Sequence, residues 1–497
     1  MLPKLITKIP GPRSRRLAKR LRAHESRNVT YVSRGFPVFW QRAHGANVWD
    51  VDGNRFLDLT SGFGVASLGY TPRRVVDAMA AQAAQLYHAM GDVHPTQEKV
   101  DLCRRLSQLT FETWGAGPGK VVLTNSGSEA VEAALKTAWL ATKKRGVLAF
   151  TGSYHGLGYG ALTVTGRALF RDPFAAQLAD FATFAPFPDC THCPLGATPR
   201  APADCPPDCL NTFFVRMENL LRRGDIGAIL VEPVQGRGGE TAPPAWFLPA
   251  LRSLADRAGV LLIFDEIYTG FYRTGPRFAC DRWKVTPDLV CMGKALTSGF
   301  PLAACVGRAA VMDAAWPEST GEALHTSTFL GNPLGCRMAL ESLALLESRP
   351  WSERVERLGA HLARGLEALR TGTGSKRWGW VRGLGLMRGW RCSTTRAVRI
   401  PRARGASWSA CSRAGSSCSA AASSRMSCRS RRLCHHRARD RFRLGRIRED
   451  GIAELRNGGR PDGSLGLGGL GSDRNQSPQS DSSYPKFRHS VRLQFFQ

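Results

Sequence analysis

Val260-Leu261-Leu262-Ile263-Phe264-Asp265-Glu266 is the stretch whose reading decides the fold. Its apolar part is continuous and short, the pattern of a strand buried on both faces. The run stops at two carboxylates, and open α/β sheets bind their ligands at the C-terminal ends of their strands. A second run, Leu289-Val290-Cys291-Met292, leads into Gly293-Lys294-Ala295-Leu296. An acid and an amine are therefore expected at the mouths of two strands, which are candidates for neighbours. Apolar surroundings lower the pKa of a lysine. A lysine so depressed is a usable nucleophile toward a carbonyl.

An apolar run ending in Asp-Glu also presents the magnesium-site acid of nucleotide-hydrolysing enzymes, which need a Gly-x-x-x-x-Gly-Lys-Ser/Thr loop upstream. The nearest candidate, Gly119-Lys120, is followed by Val121, and position 114 is Trp, so that reading fails. A pyridine-type cofactor uses the same acid and amine differently. The lysine holds its aldehyde and the carboxylate keeps its ring nitrogen protonated.

Other strand ends carry matching chemistry. Lys120-Val121-Val122-Leu123-Thr124 reads as a strand, followed by Asn125-Ser126-Gly127-Ser128-Glu129 and an Ala-rich helix over 130–142. Backbone N–H groups at a helix start attract phosphate, although Ser126 or Ser128 equally suits an ordinary N-cap. Gly146-Val147-Leu148-Ala149-Phe150 runs on to Ser153-Tyr154-His155-Gly156, which offers a ring for stacking. Ala228-Ile229-Leu230-Val231 ends in Glu232-Pro233-Val234-Gln235-Gly236-Arg237-Gly238-Gly239. Helices are expected over 72–86, 100–109 and 248–258, and short strands over 48–58 around an Asp-Gly-Asn turn. The Ser61-Gly62-Phe63-Gly64 segment offers pliable backbone to a ligand, and His325-Thr326-Ser327-Thr328 offers hydroxyls. Strands alternating with helices indicate a doubly wound, mostly parallel sheet.

Together, in this order, these motifs resemble the class III (ω-amino acid) aminotransferases, fold-type I enzymes dependent on pyridoxal 5′-phosphate, over roughly residues 10–388. The resemblance implies a large domain with a mostly parallel seven-stranded sheet flanked by helices, plus a smaller, incomplete α/β domain. By it, Lys294 bonds the cofactor aldehyde and shuttles the substrate proton, and Asp265 pairs with the ring nitrogen. Ile267 packs behind the ring, Tyr154 stacks on its other face with His155 beside it, and Gly127 and Ser128 hold the phosphate. Glu232 and Gln235 support the 3′-oxygen side, and Thr328 reaches the phosphate of a neighbouring subunit, so a homodimer is expected. Arg237 and Phe63 fall on the substrate side. Arg237 stands where 4-aminobutyrate enzymes carry glutamate, and Tyr268 where a glutamine is often found. The implied reaction moves an amino group from an amino acid or ω-amino acid to a 2-oxo acid. A racemase or aminomutase of the same fold is the alternative, as is an inactive member of the family. Segments 1–70, 71–335, 336–388 and 389–497 are expected to be an N-terminal contribution to the small domain, the large domain, the start of the C-terminal small domain and an aberrant tail.

Hydrophobic residues make up 43% of the 497-residue chain, ordinary for a soluble protein. No apolar run reaches about eighteen residues, so no membrane span is expected. The first residues hold Pro3, Pro10 and Pro12 among bases and lack an apolar h-region, so no secretory signal is expected and a cytoplasmic location is. The net charge of +29 suggests a nucleic-acid partner only if patched on a fold. It divides instead: 22 Lys and Arg face 7 Asp and Glu from Gly389 onward, against 47 and 33 before it. Fourteen cysteines without an export signal fit free thiols in a reducing compartment. Cys190, Cys193, Cys205 and Cys209 have the spacing of a small metal knuckle in a Pro-rich insertion over 190–209, with unligated loop thiols the stronger reading.

After Leu386-Met387-Arg388-Gly389 the text turns to Ser, Arg, Ala and Cys without apolar periodicity. Gly389-Trp390-Arg391-Cys392 admits the codons GGG-TGG-AGG-TGC, and a shifted frame of them contains G-V-E-V, the usual continuation in such enzymes. Codons for Cys434 to Arg448 can likewise hide a helix-like string in another frame. A frameshifted C-terminus is therefore expected, and sequencing the gene across codons 385–440 tests it.

Overall fold

The apolar runs form strands that lie side by side. Near the N-terminus, β1 (Trp40–His44), β2 (Asn47–Asp50) and β3 (Arg55–Leu57) make a small antiparallel sheet. The Asp-Gly-Asn turn closes it, with Asp50 Oδ1 accepting the Asn54 N–H at 2.8 Å. The main sheet contains β4 (Gly119–Thr124), β5 (Gly146–Phe150), β6 (Ala182–Ala185), β7 (Ile226–Val231), β8 (Leu261–Asp265), β9 (Leu289–Met292) and β10 (Ala303–Arg308). Their order is β4-β10-β9-β8-β7-β5-β6, and only β10 runs against its neighbours. A third sheet joins β11 (Trp378–Leu384), β12 (Met387–Cys392) and β13 (His489–Gln494). The structure, a computed structural model, describes residues 1–30, 36–190, 207–372, 378–392 and 489–494.

Burial explains why the central strands read as unbroken apolar runs. Leu262, Phe264, Val290 and Met292 face one core, together with Phe247, Leu251 and Leu254 of the helix Phe247–Ala258. Ile263, Leu289 and Cys291 face the other, with Ala130, Ala134 and Ala138 of the helix Gly127–Thr142. Both faces of a parallel sheet are covered by its crossover helices, so neither side of the strand is free for polar residues. Each fully buried leucine or phenylalanine contributes roughly 1.5–3 kcal/mol relative to exposure. The Gly127–Thr142 helix is Ala-rich because it lies close against the strands. Its start is fixed by Ser126, whose Oγ accepts the Glu129 N–H at 3.2 Å, while Glu129 Oε2 accepts the Asn125 N–H at 2.9 Å.

β8 and β9 are parallel neighbours in the register Ile263↔Leu289, Phe264↔Val290 and Asp265↔Cys291. The acid and the amine thus stand at adjacent strand mouths, Lys294 two residues past the end of β9. The helices expected at 72–86, 100–109 and 248–258 are Arg73–Gln85, Gln97–Ser107 and Phe247–Ala258. Strands β6 and β10 had no expectation: β6 is a four-residue edge strand, and β10 carries Gly307 and Arg308 at its end.

The boundary expected at 389 is crossed by structure. β12 continues to Cys392, pairing antiparallel with β11 across a turn at Gly385, and β13 pairs with β12 as Trp390↔Val491 and Gly389↔Arg492. Backbone pairing needs no apolar periodicity, so the residue pattern could not reveal it. Residues 393–488, and with them most of the expected frameshift, lie outside the described residues. No helix among the described residues is long and apolar enough to cross a membrane.

Candidate active site

Asp265 ends β8 as a buried carboxylate with two partners: His155 Nδ1 lies 2.8 Å from Oδ2, and the Ile267 N–H donates to Oδ1 at 3.1 Å. His155 comes from the loop after β5, and its backbone N–H donates to Thr165 Oγ1 at 3.0 Å. The imidazole is itself buried, and its Nε2 has no hydrogen-bond partner among the described residues. Ile267 lies against two glycines, Gly127 and Gly293. A Cβ on Gly127 would stand 2.8 Å from Ile267 Cδ1, and one on Gly293 would stand 3.6 Å from Ile267 Cγ2. Gly127 therefore leaves the room that Ile267 fills against the start of this helix.

Lys294 holds a positive φ of 34°, a conformation non-glycine residues rarely adopt. Such backbone strain tends to mark functional positions. Its Nζ stands 4.7 Å from the centroid of the Tyr268 ring. Gly64, at φ 86°, closes the space on another side: a Cβ there would lie 3.6 Å from Lys294 Cδ, 3.4 Å from Tyr268 Cε2 and 3.3 Å from Arg273 Nη2. Arg273 is buried and donates from Nη2 to the Gly64 carbonyl at 2.8 Å and to Ser67 Oγ at 3.1 Å. Burial pulls its guanidinium down to about 10. The N-terminal segment is in this way tied to the lysine's surroundings.

Glu232, at the end of β7, accepts the Tyr154 N–H on Oε1 and the Gly236 N–H on Oε2, both at 2.9 Å. Burial raises its pKa. Gln235 Nε2 donates to the Thr151 carbonyl at 3.0 Å. Tyr154 is half-buried under Arg237, whose guanidinium carbon stands 4.5 Å over the ring and 5.1 Å over Phe170. Ser128 Oγ accepts the Gly158 N–H at 3.1 Å, while Ser126 is the N-cap. Asn125 Nδ2 donates to Ser327 Oγ at 3.1 Å, bringing the 325–332 turn to the same helix start.

One connected group thus contains Asp265, His155, Ile267, Gly127 and Lys294, joined through Tyr268 and Gly236 to Glu232, Tyr154 and Arg237. Thr328 and Phe63 stand apart, both exposed, with Phe63 at φ 58°. Cys193 and Cys205 lie outside the described residues, so the four-cysteine knuckle has no geometry; no other metal-ligand cluster occurs among the described residues. Arg273 had no expectation, because a lone arginine among Phe271, Tyr272 and Thr274 shows no pattern that separates a buried cation from a surface one.

Glu266, beside Asp265, accepts the Cys280 N–H at 2.8 Å and a hydrogen bond from Thr269. Burial pushes its pKa from an ordinary 4.5 up to about 7. The folded state holds this proton more tightly than the unfolded chain. Stability is therefore greatest below pH 4.5 for this group and falls as pH rises to 7, by about 3 kcal/mol. Glu266→Gln removes that dependence. Urea midpoints should rise for the variant relative to the parent between pH 4.5 and 7 and run level above it; parallel profiles would contradict the assignment.

A lysine and a carboxylate at adjacent strand mouths, with a helix start beside them, define the site of a fold-type I pyridoxal-phosphate enzyme. The residues fit that cofactor: the helix start suits its phosphate, Asp265 its ring nitrogen and Lys294 its aldehyde. The class-III aminotransferase family model matches residues 30–415. The chain belongs to the class III aminotransferases, and its cofactor is pyridoxal 5′-phosphate. It is 36% identical over 390 residues to 4-aminobutyrate aminotransferase of Mycobacterium leprae, covering 77% of this chain and 82% of that one. It is 31% identical over 361 residues to leucine/methionine racemase of Thermococcus litoralis, covering 73% and 77%. Among solved structures, a pyridoxal-phosphate-bound amine transaminase from an uncultivated Pseudomonas species superposes with a TM-score of 0.68 at 29% identity, covering 76% of this chain and 86% of that one. Ornithine aminotransferase of Toxoplasma gondii gives 0.65 at 28%, covering 77% and 82%.

Proposed function

We propose that the chain transfers an amino group from an ω-amino acid of the 4-aminobutyrate or acetylornithine kind to a 2-oxo acid. The observation carrying this reading is the pairing of β8 and β9, which puts Asp265 and Lys294 at neighbouring strand ends, with Ile267 against the helix start at Gly127. When bound, pyridoxal 5′-phosphate supplies an aldehyde for amine exchange and a ring that accepts electrons. Lys294 Nζ holds that group and carries the substrate proton from one carbon to the other. Asp265 holds its charge against the ring nitrogen, and His155 Nδ1 orients the carboxylate. Gly127 and Ser128 bind the phosphate, Tyr154 and Ile267 flank the ring, and Glu232 and Gln235 fix the loop on the 3′-oxygen side. Arg237 and Phe63 meet the substrate. Thr328, exposed in the single chain, reaches a second subunit's phosphate, so the working form is a homodimer. We place it in the cytoplasm, a reading supported by the buried thiols of Cys280, Cys291, Cys305 and Cys336.

The test is amino transfer from a panel of ω-amino acids to 2-oxoglutarate, followed by the appearance of glutamate. The resemblance to a racemase keeps one alternative open to the same assay. Loss of optical purity in an L-amino acid with no oxo acid present would favour racemisation and overturn transamination.

A further inference from the structure

We propose that Arg273 is a positioning residue for Lys294, an inference that rests on the role given to that lysine above and adds a residue to it. The observations begin with strain. Ser61, Gly62, Phe63 and Gly64 run through four successive positive φ angles, 49°, 57°, 58° and 86°. A left-handed turn of this kind is unfavourable for L-residues and lasts only where its surroundings hold it. Asp58 holds its first half, accepting the Thr60 N–H on Oδ1 at 2.9 Å and the Gly62 N–H on Oδ2 at 2.8 Å. Arg273 holds its last residue, with Nη2 donating to the Gly64 carbonyl at 2.8 Å and to Ser67 Oγ at 3.1 Å.

The turn is held against the lysine. A Cβ on Gly64 would stand 3.6 Å from Lys294 Cδ, 3.4 Å from Tyr268 Cε2 and 3.3 Å from Arg273 Nη2, and Lys294 Nζ lies 4.7 Å over that same tyrosine ring. Lysine stem, tyrosine ring and guanidinium converge on the bare side of one glycine. The amine's position therefore depends on where that glycine is held. Misplacing a reacting group by about 1 Å costs about 10²-fold in rate.

Arg273 is itself fixed from behind. It is the largest fully buried side chain among the described residues, and Phe271 and Tyr272 before it hold positive φ angles of 57° and 67°. Its carbonyl accepts the Leu386 N–H at 3.2 Å, from the turn between β11 and β12. Gly385 of that turn comes so close that a Cβ would stand 2.9 Å from the Arg273 carbonyl oxygen and 2.6 Å from the Thr274 carbonyl carbon. Arg282 donates to the Thr274 carbonyl at 2.9 Å. The left-handed turn and the small C-terminal sheet thus meet at one side chain. Burying a cation is costly, and what this one supplies that an apolar side chain of its length does not is the grip on Gly64 and Ser67.

The experiment compares the loaded parent enzyme with Arg273→Met, Arg273→Lys and Gly64→Ala. One readout is kcat and KM for 4-aminobutyrate with 2-oxoglutarate. The other is the rate at which hydroxylamine strips the cofactor from the protein, followed by its near-visible absorbance. Arg273→Met should lower kcat about 10–100-fold with KM little changed, the mark of a displaced reacting group, and should speed the stripping. Arg273→Lys, which keeps a donor for the Gly64 carbonyl, should recover part of both. Gly64→Ala should reproduce the loss from the other side of the contact, and it decides the matter if Arg273→Met does not fold. An unchanged kcat in Gly64→Ala and in the arginine variants that fold, or a loss of kcat with stripping unchanged, would overturn the proposal. Faster stripping in variants of a parent that transfers no amino group would keep the positioning role and sink the transaminase reading instead.

Discussion

Lys294→Ala is expected to lower amino transfer by roughly 10⁴-fold and to leave the protein unable to retain a covalently attached cofactor. The proposed function puts two roles on that nitrogen, nucleophile toward the cofactor aldehyde and carrier of the substrate proton. Proton transfer by a placed side chain is by itself worth about 10²–10⁴-fold, and loss of the nucleophile adds to it. The fold should survive, because Lys294 follows β9 and is only partly buried, while Ala295 and Leu296 beside it hold the core. Removal of the positive-φ lysine puts alanine in the same conformation at little further cost. Steady-state rates and the near-visible absorbance of the purified protein check this together. A variant that keeps more than a tenth of the parent's activity would remove Lys294 from the reaction.

Asp265→Asn is expected to cost about 10²–10³-fold in kcat, the range seen when one preorganised electrostatic partner is removed. Asparagine keeps the shape of the side chain and can still receive the Ile267 N–H that now reaches Oδ1 at 3.1 Å. It loses the negative charge that favours a protonated ring nitrogen. The His155 contact at 2.8 Å must also adjust, because Nδ1 then faces an amide in place of a carboxylate. Cofactor affinity should fall less than kcat does, since the proposed function has Gly127 and Ser128 binding the other end of the molecule. A loss confined to affinity, with kcat intact, would show that Asp265 only anchors.

The central strands were legible because burial on both faces leaves a run such as Leu261 to Phe264 with no polar position, and length alone then separates strand from helix. Asp265 and Lys294 were legible for a related reason: polar groups are tolerated where such runs end. Their adjacency was legible only as a candidate, since the β8–β9 pairing depends on how the crossovers pack and residue order does not encode it locally. The antiparallel strand β10 escaped notice although Ala303 to Val306 is apolar, because small residues there carry weak strand preference. The link from Arg273 through Gly64 to Lys294 joins positions far apart in the chain. The hydrogen bond from Arg382 to Thr241 does the same, and no periodicity connects them. The pairing of β12 with β13 runs through backbone alone, so a stretch of unpatterned residues gave no sign of it.

The most direct measurement is covalent. The protein, loaded with pyridoxal 5′-phosphate, is reduced with borohydride, digested and mapped by mass spectrometry. The site described above predicts a pyridoxyl group on the peptide containing Gly293-Lys294-Ala295, attached at Lys294, in close to one copy per chain. A pyridoxyl group on another lysine, or none after full loading, would contradict it.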